Sequence, residues 1–231
     1  MKAAIYLIRA LTNLHAGSGD VEYGVVDKLV QKDPITRFPT IYMSSIKGAL
    51  REYFQENAED KVEKLFGSSP NPNTPDQDTG TSRGSLYFIS AQLLAMPRAC
   101  EDGDNYYELC YGRCMHKDWL EKVKIFTGNS KWSMESFSSE LNEISDKKFK
   151  KLAHELPVIA RNYLENGESK NLWYEEFVPR ESLFGMIVQG SEEDLKAFQD
   201  VVDGKVIQIG GNATVGYGYC LFKHIPNPSE A

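Results

Sequence analysis

The C-terminal stretch of the chain constrains the fold more than any other part. Two runs with strand composition, LWYEEFVP (172–179) and SLFGMIVQG (182–190), precede EEDLKAFQDVV (192–202), which has helical spacing. KVIQIGG (205–211) and YCLFKHI (219–225) then read as strands. At the other end, AAIYLIRAL (3–11) reads as a strand and IKGALREYFQENA (46–58) as a helix. A strand, a helix, and then a strand–strand–helix–strand order predict an α+β chain with a split β-α-β, ferredoxin-like core carrying insertions. The helix signals agree. Ser191 stands before the 192–202 helix, with Glu193 and Asp194 in its first turn. Ser44 and Ser45 stand at the N-cap of the first helix, whose Ile46, Leu50, Tyr53 and Phe54 share one face. Lys47 and Arg51, four apart, share another. DKVEKLFG (60–67) predicts a short helix ending at Gly67.

The 231 residues suit a single domain spanning 1–231, and 41% hydrophobic residues suffice for a core. Two insertions interrupt it. Residues 68–84, SSPNPNTPDQDTGTSRG, have the composition of a flexible loop. A variable insertion at about 98–150 contains HKDWLEKVKIF and SFSSELNEI, which look helical, separated by the turn TGNSKW. No run of eighteen apolar residues occurs, so no membrane span is expected. Arg9 breaks the apolar N-terminal run, which reads as the first strand of a cytoplasmic protein rather than a secretory signal. Cys100, Cys110, Cys114 and His116 cluster without the C-x2-C spacing of the stronger zinc patterns. Free thiols are the simpler reading.

Net charge −7 gives no bulk attraction for nucleic acid, so binding would need a local basic surface. One exists. Residues 28–51 hold Lys28, Lys32, Arg37, Lys47 and Arg51 against one acid, Asp33. That pattern fits a solvated face or a phosphate track, and Ser44, Ser45 and Lys47 at a helix start favour anions. KKFKK (147–151) extends such a track or is solvated. The long loop from Thr12 to Tyr42 also carries chemistry. His15 follows a strand beside flexible glycines, and Asp27 follows two valines, where it either begins a turn or serves as a general base or metal ligand. An imidazole and a carboxylate can divide acid and base roles in transfer at phosphorus. The glycine-rich GGNATVGYG (210–218) lacks the P-loop signature and reads as a hairpin loop, or as a backbone that approaches a sugar-phosphate chain.

The ordered set LTNLHAGSG, GVVD, QKDPITRFPTI, SSIKGALR, LWYEE and GGNATVGYG resembles the RAMP superfamily, and within it the repeating backbone subunit of type III-B (Cmr) CRISPR effector complexes. The resemblance covers roughly residues 1–55 and 170–224. It implies an RRM-like core with an extended hairpin or thumb, and copies stacked along a guide RNA beside other Cmr subunits. It also implies an endoribonuclease that cuts the paired target RNA at regular intervals and leaves a cyclic phosphate. By the same resemblance Asp27 is the main catalytic residue and the ligand of a divalent cation, Mg2+ or Mn2+, and His15 joins it. Glu175 or Glu176 contributes to the cut site, while Ser44, Ser45, Lys47, Arg51, Gly210 and Gly211 lie against the guide, with Lys28 and Arg37 adding cations. Some RAMP relatives only hold RNA and others process guides alone, so both remain alternatives. The chain departs from the pattern in carrying Arg37 where a Gly usually precedes Phe-Pro, and Tyr42-Met43 where Pro-Gly usually precedes the serines. It is also short for the subunit, which implies a trimmed thumb or middle insertion.

Overall fold

A computed structural model describes residues 1–19, 25–68, 82–100, 105–133, 136–137 and 141–228. Strand β1 (Lys2–Ala10) is an interior strand of a sheet ordered β5-β4-β3-β8-β1-β10-β9. Here β3 is Tyr87–Ala99, β4 Tyr107–Gly112, β5 Leu141–Ile144, β8 Leu183–Gly190, β9 Val206–Gln208 and β10 Tyr219–Ile225. The short β2 (Thr40–Ile41) pairs with β3. Within this sheet each of β3-β8-β1-β10 runs antiparallel to its neighbour. With helices α1 (Met43–Asn57) and α5 (Glu192–Val202) in the two crossovers, they form the expected ferredoxin-like core.

Both faces of the sheet are covered. Tyr6, Ile8 and Ala10 of β1 pack into a core with Ile46, Leu50 and Phe54 of α1 and Phe198 of α5. Ile5 and Leu7 face the other way, toward Trp119 and Val123 of α3 (Arg113–Thr127), Trp132 and Phe137. Gly185 makes that second layer possible, since a Cβ there would lie 2.4 Å from Trp119 Cζ2. Burial on both faces explains why β1 and β8 read as near-continuous apolar runs.

The predicted 192–202 helix and 219–225 strand occur with those bounds. Ser191 caps α5 by accepting from Asp194 N–H (3.0 Å). The short helix α2 (Val62–Phe66) ends at Gly67, φ +90°. Most of the 68–84 loop lies outside the described residues. Its ends are pinned by the Gly67–Arg83 bridge and the bond from Ser68 N–H to Ser82 O (3.0 Å).

Two expectations are corrected, for LNEI and for the start of α1. LNEI is not helical but is β5, parallel to β4. Leu141 and Ile144 have helical spacing, yet the open edge of β4 supplies hydrogen bonds that local spacing cannot register. The segment after it, 146–154, is a helix, α4, with Phe149 and Ala153 buried, so KKFKK is a helical surface around one core residue. The serines do not cap α1 either. The cap is Tyr42, without a side-chain cap bond, and Ser44 and Ser45 lie inside the helix, placing Lys47 at its fifth position, beyond the first turn.

The sequence reading also missed three strands, β2, β4 and one in the 158–165 segment. β6 (Val158–Glu165) pairs with β7 (Glu168–Glu176) in a separate two-stranded hairpin whose tip is Asn166-Gly167, both at positive φ. This is the extended hairpin the family resemblance implied. An Asn-Gly pair is the strongest short-range hairpin signal, and it stands in the sequence at that tip.

Candidate functional site

Of the eight buried polar side chains among the described residues, four meet in one place: His15, Gln31, Glu175 and Glu176. Buried polar groups cost free energy unless partnered, so such a concentration marks a site. It forms at the base of the β6–β7 hairpin, where residues 14–18 and 27–31 fold against each other and against the end of β7. Leu14 and Val178 exchange backbone bonds, Ser18 N–H donates to Leu29 O, and Gln31 N–H donates to Ala16 O. Lys28 O then accepts from Glu176 N–H (2.9 Å).

His15 and Asp27 thereby reach nearby residues of β7. His15 Nδ1 donates to Glu176 O at 2.7 Å, and Asp27 Oδ2 accepts from Tyr174 N–H at 2.7 Å. Asp27 and Lys28 N–H groups both donate to Tyr174 O. Because a carbonyl must be met by N–H, Nδ1 of His15 carries a hydrogen. Asp27 is exposed, and its Oδ1 has no partner among the described residues.

The two glutamates are not open to solvent. Glu175 has no exposed surface. Its Oε1 accepts from Asn212 Nδ2 and lies 3.8 Å from His15 Nδ1, while Oε2 lies 3.4 Å from Arg161 Nε. Glu176 Oε1 pairs with Lys32 Nζ at 2.8 Å, and Oε2 accepts from Val30 N–H at 3.2 Å. Glu176 therefore staples the 28–32 segment to β7, and Glu175 ties His15 to the glycine-rich loop and to β6. That loop also grips His15 through the backbone. Gly211 N–H donates to His15 O (3.0 Å), and Gly210 is at φ +81°, where a Cβ would lie 2.4 Å from the same oxygen.

The remaining predicted residues divide. Lys28 Nζ sits 5.0 Å over the Trp173 ring. Ser44 is exposed and Lys47 half-buried. Ser45 Oγ accepts from Gln31 Nε2 (2.8 Å), and Gln31 Oε1 in turn accepts from Tyr42 N–H (2.6 Å), so Gln31 joins the loop to the start of α1. Arg51 Nη1 donates to Gly67 O (2.7 Å) at the end of α2, a structural commitment far along α1. Arg37 is exposed with φ 61°, the left-handed conformation that a glycine adopts at no steric cost. Gln31, Lys32, Arg161 and Asn212 were not singled out as site residues. Lys32 was visible only as one of several cations, and nothing local distinguishes the other three, whose partners are all distant in sequence.

Among the described residues no group of three or more His, Cys, Asp or Glu is arranged to hold a metal. Cys110 is buried and Cys114 exposed, and His116 Nε2 is bonded to Leu94 O (2.9 Å) with its ring stacked on Tyr111. At the candidate site Asp27 Oδ1 is one hard oxygen donor. It fits a Mg2+-like ion held chiefly by phosphate oxygens and water rather than by a protein cage. No helix among the described residues is long and apolar enough to cross a membrane.

The chain is 28% identical to the CRISPR system Cmr endoribonuclease Cmr4 of Pyrococcus furiosus, across 95% of this chain and 94% of that one. Its fold matches a chain in a cryo-EM structure of the Type III-B Cmr-beta bound to cognate target RNA, with TM-score 0.76 and 19% identity, covering 97% of this chain and 98% of that chain. It also matches crystalline oligomeric Cmr4 from Pyrococcus furiosus, with TM-score 0.69 and 19% identity over 98% of this chain and 100% of that one. The RAMP superfamily model matches residues 7–221, nearly the whole described fold from β1 to β10, and the chain belongs to the RAMP superfamily.

Proposed function

We propose that this protein is a guide-RNA-binding backbone subunit of a cytoplasmic type III-B (Cmr) CRISPR effector. It assembles with further copies of itself and with other Cmr subunits, and it cleaves complementary target RNA at regular intervals. Near full-length similarity to a Cmr endoribonuclease supports the assignment. The observation that carries the chemistry is the convergence of His15 and exposed Asp27 on residues 174–176 of β7.

The reaction that suits this pair is internal transfer at phosphorus. The 2′-oxygen of the target ribose bonds to the adjacent phosphorus, the bond to the 5′-oxygen breaks, and a 2′,3′-cyclic phosphate and a 5′-hydroxyl result. Asp27 accepts the 2′-hydroxyl proton, and protonated His15 delivers one from Nε2 to the departing 5′-oxygen. Alternatively, Asp27 Oδ1 would hold a divalent cation, Mg2+ or Mn2+, which would supply positive charge at the phosphate oxygens. Glu175 and Glu176 position the pair rather than meeting the phosphate. Lys28, Arg37, Ser44 and Lys47 contact RNA phosphates, with the backbone of Gly210 and Gly211 beside them, while Ser45 and Arg51 brace α1. Base pairing supplies sequence choice, so the protein reads backbone shape and charge.

Asp27→Asn tests this. The amide keeps an oxygen for Tyr174 N–H but loses the negative charge. In the reconstituted complex, target cutting is expected to fall about 10²-fold or more with guide and target binding retained. Cutting at the unaltered rate would remove Asp27 from the mechanism. A complex that binds target but never cuts it, even unaltered, would make the chain a purely structural subunit.

A further inference from the structure

A carboxylate shut off from water must be matched by charge or it takes up a proton. Glu175 is such a group, and three side chains surround it. Asn212 donates from the glycine-rich loop, and His15 Nδ1 stands 3.8 Å away from the end of the loop after β1. Arg161 Nε stands 3.4 Å away from the hairpin strand β6. Only Arg161 is always charged. Neither Arg161 Nε nor Glu175 Oε2 has a hydrogen-bond partner, so the pair acts through charge rather than through a fitted bond. Arg161 is held there by its guanidinium, 4.8 Å over the Tyr217 ring, which Phe177 meets edge-on.

We propose that Arg161 is a positioning residue of the cleavage site: its charge matches that of buried Glu175, and Glu175 so held keeps His15 in place. The inference rests on the reading of His15 as the proton donor. His15 Nδ1 is already occupied by Glu176 O, so Glu175 acts on the ring through its field and not by competing for that bond. The other cations nearby are otherwise engaged, Lys32 with Glu176 and Lys28 with the Trp173 face. Since Arg161 faces Trp173 across the hairpin, the arrangement makes the seating of the hairpin base a condition for His15 to act.

The test is single-turnover target cutting by the complete reconstituted complex, with target affinity measured alongside. Arg161→Gln is expected to slow the cutting step about tenfold while affinity stays within about twofold, and Arg161→Lys to recover most of the rate. In a Glu175→Gln background, Arg161→Gln is expected to add nothing, because its target charge is gone. That double variant leaves no unmatched charge at the Glu175 position, so it keeps the comparison available if Arg161→Gln alone does not fold. Equal rates for Arg161→Gln and the unaltered chain would overturn the inference. So would a Lys variant no better than Gln, or a full further loss in the double variant. A complex that fails to cut in every form would overturn the functional reading with it. Cutting that depends on Asp27 but survives Arg161→Gln would overturn this inference alone.

Discussion

Replacing Gly210 by Ala probes whether the glycine-rich loop sets the position of His15. Gly210 has φ +81°, and its added Cβ would lie 2.4 Å from His15 O and 3.2 Å from Ala16 Cα. An ordinary carbon–oxygen contact is about 3.3–3.6 Å, so the two segments must separate by roughly 1 Å. The same oxygen accepts from Gly211 N–H at 3.0 Å, and such a displacement takes that bond past useful length. The left-handed backbone costs an alanine about 1–2 kcal/mol, and the lost bond about 1 kcal/mol more. The expected loss is about 2–3 kcal/mol, or a melting temperature lower by about 4–12 °C for a chain of this size. Gly216→Ala is the control, since Gly216 has φ +83° with nothing within 4 Å of a Cβ, and it should show the backbone cost alone. Thermal unfolding by circular dichroism measures both variants. Cutting by reconstituted complexes held well below both melting points reads the displacement of His15, which should slow the Gly210 variant by roughly 10-fold or more, given the sensitivity of catalysis to 1 Å shifts. If Gly210→Ala melts no lower than Gly216→Ala and cuts at the unaltered rate, the loop does not govern His15.

Two further outcomes follow from buried polar groups. His116 is 3% exposed, with Nε2–H donating to Leu94 O and Nδ1 without a partner, and burial lowers its pKa from 6.5 to about 4. The unfolded chain therefore binds the proton first, so this contribution is complete above about pH 6.5 and is lost as pH falls toward 4, about 3 kcal/mol in all. Urea unfolding from pH 7.5 to 4.5 should show this slope, and His116→Phe should flatten it. Glu176→Ala leaves Lys32 unpaired and buried Val30 N–H without an acceptor, which should cost about 2–4 kcal/mol in urea unfolding. Lys32→Ala added to it should cost much less than Lys32→Ala alone, because the partner is already gone.

The local pattern alone determined the helices and strands that carry their own punctuation. Ser191 and an acidic first turn mark α5, Gly67 marks the end of α2, and two-sided apolar runs mark β1 and β8. The ordered motifs likewise brought His15 and Asp27 forward before any geometry was in hand. Tertiary structure decided the rest. LNEI became a strand because β4 had an open edge, and Tyr42 became the helix cap because Gln31 reached it from eleven residues away. Above all, His15 sits against Glu175 only because residues 160 positions apart in the chain are folded together, with Arg161 and Asn212 arriving from two further segments. Secondary structure follows from interactions between near neighbours, which a sequence displays directly. The partners of a buried charge are chosen by whatever the fold brings within a few ångströms, and spacing along the chain carries no record of that.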